Sequence, residues 1–473
     1  MHLRPLLIVI SLMLASCSTV GPNYQRSDQA AINQKNANAA FMGGKASAFI
    51  NAPVPNDWWK LYQDPALNDL IEQALAANTD IRIAAARLEK AESKLDYAEA
   101  SRNPKTSVEA SPQYARFSAE ELLIPTEGKP LPNSFVYGLG ASISYQVDLF
   151  GQISRSIEAA SADLGAAQAA QDATRITVVA ETTKAYLESC AAGHEIEVAK
   201  KTLAIQTRST TLTQRLFAAG RGTSIDTTRS SGQEDQIRAS FPLLNAQKRL
   251  SLYRLAVLTG HPPAEFPTSV ADCSHEPELK SPIPIGDGMA MLKRRPDVRR
   301  AEFELHAATA EIGVLTADLY PKVTLGASVG SVGLMSHLLE ADTYKFSLGP
   351  LISWQFPDRT RIKQRIRGAE ADQQAAYAKF DGVVLNALKE TESALEIYTR
   401  DLERLALLKN AESKAKKSAQ DSETLFKYGR QSYFPVLDAN RILISTEQAV
   451  AQAEGKVSAD QVNIFLALGG GWE

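Results

Sequence analysis

The residue types able to do covalent or metal chemistry are sparse in this 473-residue chain and poorly spaced for catalysis. His194, His261, His275, His306 and His337 are scattered, with no His-Glu-x-x-His pair and no Cys/His spacing suited to zinc. Met42, Met289, Met291 and Met335 form no cluster that would favour a soft metal. No nucleophile, base and orienting group stand at a fixed spacing, and Glu120 and Glu121 read as solvated loop carboxylates. An enzyme is therefore not expected, and neither is a metal or a cofactor. Cys17 is different. His2 and Arg4 precede an apolar core, Leu6–Leu14, that is too short to span a membrane, and the run ends in Leu14-Ala15-Ser16-Cys17.

That ending resembles the bacterial lipoprotein signal. Ser18 rather than Asp follows, the pattern that such signals use for the outer membrane. Residues 1–16 are read as signal peptide and Cys17 as the lipidated residue, the lipid being the one covalent group expected. Each buried CH₂ of an acyl chain contributes about 0.8 kcal/mol, so several chains anchor firmly. The other cysteines are Cys190 and Cys273. They could pair in an oxidising compartment, but one pair in so long a chain is no disulfide framework, and Cys190 reads as a small buried residue without a bridge.

The elements around these residues fall into two kinds. Ser134–Gly151 (SFVYGLGASISYQVDLFG) alternates strictly, with Phe135, Tyr137, Leu139, Ala141, Ile143, Tyr145 and Val147 on one face and small or polar residues on the other. The run exceeds the 9–11 residues that a tilted membrane strand needs, and aromatics sit near both ends, as in barrel girdles. Val323, Leu325, Ala327 and Val329 repeat the alternation, as do Phe346, Leu348, Pro350, Ile352, Trp354 and Phe356. Pro350 departs from it by removing a ladder donor. Directly after Gly151 the period changes to that of a helix. No apolar run of about 20 residues exists, so a transmembrane helix is not expected. The net charge of −3 gives no case for nucleic acid.

An internal repeat sets the architecture. Asp80–Ser111 aligned without a gap on Asp297–Ser328 matches at ten of thirty-two positions, including Asp80/Asp297, Arg82/Arg299, Leu88/Leu305, Pro104/Pro321 and Lys105/Lys322. Chance would give roughly two or three. Leu216-Phe217…Gly220-Arg221 likewise matches Leu425-Phe426…Gly429-Arg430. The expected order is an N-terminal arm at 17–64 and a first repeat at 65–260, then a Pro-rich linker at 261–289, a second repeat at 290–468 and a tail at 469–473. The first repeat has strands at about 105–116 and 134–148, a long helix at 152–219 and a returning helix at 224–260. The second has strands at 322–332 and 346–356, a long helix at 359–428 and a returning helix at 433–468. Ser224 and Ser432 are expected to cap the returning helices, and Pro242 to kink the first. Each long helix would span about 100 Å at 1.5 Å per residue. Four strands cannot close a membrane barrel, which needs at least eight, so the chain must share one between subunits. Two copies give eight strands and three give twelve; spacing alone leaves both open.

Cys17…Gly21-Pro22-Asn23-Tyr24, Trp58…Tyr62…Asp64-Pro65…Leu67, Asn78…Asp80, Asp148-Leu149-Phe150-Gly151 and Arg294-Arg295-Pro296-Asp297-Val298…Ala301-Glu302 resemble the outer membrane factor (TolC-like) family, in its lipoprotein branch of efflux channels. The terminal Leu468-Gly469-Gly470-Gly471-Trp472 fits that branch too. The resemblance covers the whole chain. It implies a mainly α fold with a membrane β part: a homotrimer with a shared twelve-strand outer-membrane barrel and long antiparallel helices forming an α-barrel in the periplasm. It implies an exit duct that docks with a periplasmic adaptor and an inner-membrane pump and conducts small toxic compounds passively. Asp226 and Asp438 match acidic positions of the family's periplasmic gate, and Gly220-Arg221 and Gly429-Arg430 match the tip turns that an adaptor touches. Pro435 stands where some relatives carry a further acid. Rival readings are a type I secretion duct, an outer-membrane lipid hydrolase, and a structural lipoprotein with long coiled helices tethering envelope layers. The tether leaves the four alternating strands unexplained.

Overall fold

Helix prevails wherever alanine-rich sequence runs on without proline. A computed structural model describes residues 19–118, 130–354 and 356–470; Cys17, Glu120, Glu121 and Trp472 lie outside the described residues. The helices are α1 (Pro65–Ala77), α2 (Thr79–Ala100), α3 (Gln152–Ala218), α4 (Ser224–Leu258), α5 (Gly288–Arg294), α6 (Pro296–Ala317), α7 (Arg359–Lys427) and α8 (Phe434–Ala467). The strands are β1 (Phe49–Ile50), β2 (Lys105–Ala110), β3 (Gln113–Ala115), β4 (Ser134–Val147), β5 (Ile283–Pro284), β6 (Lys322–Leu334) and β7 (Tyr344–Ser353). None of the described helices is long and apolar enough to cross a membrane. Two compact units each draw on both halves of the chain, so they do not coincide with the sequence repeats.

The first unit takes residues up to 26, 88–166 and 301–379 and contains the antiparallel sheet in the order β2-β4-β6-β7, with β3 continuing the β2 side along β4. Pairing sorts the side chains. Ile143 stands opposite Ala327 and Ala141 opposite Val329, while Val329 faces Phe346 and Ala327 faces Leu348. One face is therefore apolar across three strands, and Val108 opposite Ala141 extends it to β2. The other face carries Ser107 hydrogen-bonded to Ser142 and Ser328 to Ser347, each at 2.8 Å. Among the described residues, β2 and β7 leave an edge unpaired. Pro350 sits on the edge strand β7, where a missing donor is tolerated.

The second unit takes 27–87, 167–300 and 380 onward. Trp58 is buried and stacked on Phe465 at 4.6 Å, and the Tyr62 hydroxyl donates to Gln461. Asp64 caps α1 by accepting from the backbone N–H groups of Ala66 and Leu67, with Pro65 in the first turn. Leu67, Leu70, Ile71 and Ala74 bury the inner face of that helix. Arg295 is buried too, donating to Asp297, Glu390 and the carbonyl of Ala467, so the Arg-Pro-Asp run at the start of α6 is a structural clamp.

Several expectations need correction. The first strand breaks at Ser111-Pro112, because proline offers no ladder donor. The last strand stops at Ser353, opposite Lys322 where β6 begins. Trp354, expected inside it, instead donates its indole N–H to the Leu319 carbonyl. Thr223 rather than Ser224 caps α4, since its hydroxyl accepts from the Asp226 N–H. No side chain caps α8, which begins at Phe434 after Tyr433, so Ser432 has no such role. Cys190 and Cys273 are joined by a disulfide across 83 residues, tying α3 to the segment that precedes β5. Cys190 is fully buried, as its helical setting implies, but it is not unpaired.

Candidate functional site

The turns after the two long helices are built alike. In each, a glycine with φ +69° ends the helix, a conformation that glycine adopts without strain. Arg221 N–H reaches back to the Leu216 carbonyl at 2.8 Å, and Arg430 N–H to that of Leu425 at 2.9 Å. These bonds satisfy carbonyls that the helix leaves open. A side chain at Gly220 or Gly429 would meet nothing within 4 Å, and Arg221 and Arg430 are exposed. The two turns are held together: Tyr433 hydroxyl and Ser209 Oγ lie 2.6 Å apart, and the Arg229 guanidinium lies 5.3 Å above the Phe434 ring.

The two acidic residues sit differently. Asp226 forms a reciprocal box with Thr223, whose N–H and hydroxyl donate to its Oδ2 at 3.1 and 2.7 Å. Its partners there are neutral. Asp438 pairs with Arg441 one turn on, at 2.8 Å, so its charge has a cation beside it. In the same unit, a groove of about 990 Å³ runs between α3, α7 and α8, lined by Lys201, Arg208, Lys416, Glu423 and Glu447 among others.

At the base of the sheet, the segment downstream of Cys17 is clasped. Val20 N–H donates to the Phe150 carbonyl at 3.1 Å, and Thr19 lies against Gly151. Arg155, 3 % exposed, donates to the Val20 carbonyl at 3.1 Å, Asn23 Oδ1 at 2.6 Å and Glu158 at 2.7 Å. Glu158 also meets His306 at 3.0 Å, and the His306 ring stacks on Tyr24. Tyr24 donates to Glu302; burial, then the nearby Glu302 charge, pushes its phenol up to about 12. Arg155 and Glu158 hold this clasp from α3. Their one signal is a charged pair set into an otherwise alanine-rich stretch.

Among the described residues, the sheet has one apolar and one polar face and two unpaired edges. The chain matches the model of the family "Outer membrane efflux protein" over residues 70–261 and 289–470. It belongs to that family. A solved structure of the outer-membrane channel OprN is similar to it at 34 % identity, with a TM-score of 0.88, over 96 % of this chain and 100 % of that one. Outer membrane protein OprJ of Pseudomonas aeruginosa is 28 % identical over 472 residues, covering 98 % of this chain and 95 % of OprJ. The probable outer membrane lipoprotein SilC of Salmonella typhimurium is 25 % identical over 483 residues, covering 99 % of each. The chain is thus an outer-membrane channel protein of an efflux system, in a family of channels rather than enzymes.

The residues that carried the family resemblance turn out to be pins. Asp148 accepts from Ile153 and Ser154 at the start of α3, Asp64 accepts from the Tyr186 hydroxyl at 2.7 Å, and Asn78 caps α2 while donating to the Leu258 carbonyl. Among the described residues no group of three or more His, Cys, Asp or Glu is arranged to hold a metal ion.

Proposed function

We propose that three copies of this efflux channel protein share a twelve-strand barrel through the outer membrane and form an α-barrel in the periplasm with their long helices. The duct passively carries small toxic compounds delivered by a periplasmic adaptor and an inner-membrane pump. The observation that carries this reading is the sheet with both edges open and one face apolar. Phe346 and Leu348 are 86 % and 84 % exposed, which water does not tolerate over so wide a patch but lipid does. Two separate segments of the chain match the one family model, which supports the two-fold repeat. A lipid on Cys17, two residues before the clasped Thr19, would be held at the foot of the sheet.

Asp226 and Asp438 form the periplasmic gate in this reading, attracting cations and repelling one another across the threefold axis when unscreened. Gly220, Arg221, Gly429 and Arg430 meet the adaptor, and their open surroundings support that contact. Planar-bilayer recording of the purified full-length protein tests the duct. Discrete conductance steps, blocked when Leu348→Asp prevents insertion, are expected. Protein that inserts yet never conducts would rule the duct out.

A further inference from the structure

The hairpin between β6 and β7 folds back over one face of the sheet. Tyr137 is 3 % exposed. Its hydroxyl meets Ser331 Oγ at 2.7 Å and Thr343 Oγ1 at 3.1 Å and accepts the Leu339 N–H at 2.8 Å. Register identifies the face. Tyr137 stands opposite Gly333, and Ser331 stands opposite Leu139 on one side and Tyr344 on the other. By the two-residue period of a strand, Tyr137 shares its face with Leu139, Ala141 and Ile143, and Ser331 with Val329. A β-carbon at Gly333 would come within 2.9 Å of Thr343 Cγ2 and 3.8 Å of the Tyr137 ring, which puts the hairpin on that same side. The hairpin therefore covers the end of the apolar face, not the serine-rich one.

What it presents there is unusual for a loop. Leu338 and Leu339 are 49 % and 50 % exposed, and Leu339 holds φ +60°, which a leucine rarely adopts. The Tyr137 hydroxyl on its N–H keeps it in place. Flanking them, His337 and Glu340 pair at 2.8 Å with more than half of each side chain exposed. Two leucines are thus held outward, bracketed by the His337–Glu340 pair, on the side of the sheet that carries Leu139, Val329 and Phe346.

We propose that this hairpin is a lipid foot: Leu338 and Leu339 sit at the outer-leaflet boundary on the external rim of the barrel, and the Tyr137 hydroxyl latches them there. The proposal rests on the reading that the apolar face meets lipid. Lipid is the occupant because the leucines continue that face, whereas a neighbouring copy would join through the open strand edges. The polar His337–Glu340 pair lies where headgroups begin, the arrangement expected of an interfacial contact.

A nitroxide attached at Leu339→Cys in the full-length protein tests it, in vesicles of phosphatidylethanolamine and phosphatidylglycerol. Collisions with oxygen report acyl chains, and collisions with a neutral nickel chelate report water. Leu348→Cys and Ser142→Cys serve as references for the two faces, and the unsubstituted protein as the labelling blank. The expected oxygen-to-nickel ratio at 339 is close to that at 348 and several-fold above that at 142. If 348 reads lipid while 339 reads water, or is shielded from both probes by protein, the foot is wrong and the barrel stands. If 348 itself reads water, the lipid face fails and the foot with it. Adding Tyr137→Phe should make the label at 339 more mobile and shift its collisions toward nickel; no change would overturn the latch.

Discussion

Individual side chains in this protein do two jobs, pinning and titrating, and the two can be separated by substitution. Arg155 is a pin. Removing its guanidinium with Arg155→Ala leaves the Val20 carbonyl and Asn23 without their donor and Glu158 without its cation. A loss of about 2–3 kcal/mol is expected, read as early proteolytic release of the N-terminal arm. Glu276 is a titrating group. Burial, then the carboxylates of Glu454, Glu195 and Glu278, push it up to about 7, and its buried Oε1 has no hydrogen-bond partner among the described residues. Since the folded form holds this proton longer than the unfolded chain does, stability falls as pH rises from about 4.5 through 7. Glu276→Gln should flatten that slope and stabilise the protein at pH 8 by about 1–2 kcal/mol, a figure reduced for partial solvent screening. Thermal unfolding across pH checks it. At the proposed gate, neutral donors hold Asp226 while Arg441 offsets Asp438. Asp226→Asn should therefore lower cation selectivity in bilayers more than Asp438→Asn, and Arg441→Ala should raise it. Equal effects of the two substitutions would mean that the Arg441 pair does not screen Asp438.

Elements were legible in the sequence to the degree that their causes are local. The alternation from Phe135 to Val147 defines β4 because each residue's face follows from its position alone. Gly220 and Gly429 end helices because only the residue at the turn must accept positive φ. What escaped was long-range. The Cys190–Cys273 bridge joins residues 83 apart, and Arg155 meets Asn23 across 132, so no window of sequence contains either pair. The cap at Thr223 was missed by one residue, since Thr223 and Ser224 are equally able acceptors and only the observed geometry chooses. Trp354 and Phe356 keep the alternating pattern past the end of the sheet, because pattern does not know where a partner strand begins. The disulfide also gives a prediction at this scale. By the chain-entropy account, closing so long a loop stabilises by about 4 kcal/mol, so reductant should lower stability by about 2–4 kcal/mol. Melting with and without reductant checks it, and an unchanged transition would mean that the bridge contributes little in the native protein.

As a whole, the protein is half of a solution to a membrane problem. A sheet of this width has an apolar face and two open edges, and each unpaired backbone group in lipid costs several kcal/mol. Within one chain nothing among the described residues closes it. Its family supplies the setting, an outer-membrane efflux channel, and in the proposed assembly the closure comes from other copies. A charge on the apolar face should then block assembly: Leu348→Asp is expected to leave the protein outside the heat-resistant membrane fraction, where Ser142→Asp, on the polar face, remains within it. The most direct measurement is the protein mass of the detergent-extracted, full-length mature form, by light scattering with the detergent contribution subtracted. Three chains per particle is the expected result, giving twelve strands and no free edge. A folded particle containing a single chain would contradict the shared barrel, because four strands cannot enclose a pore.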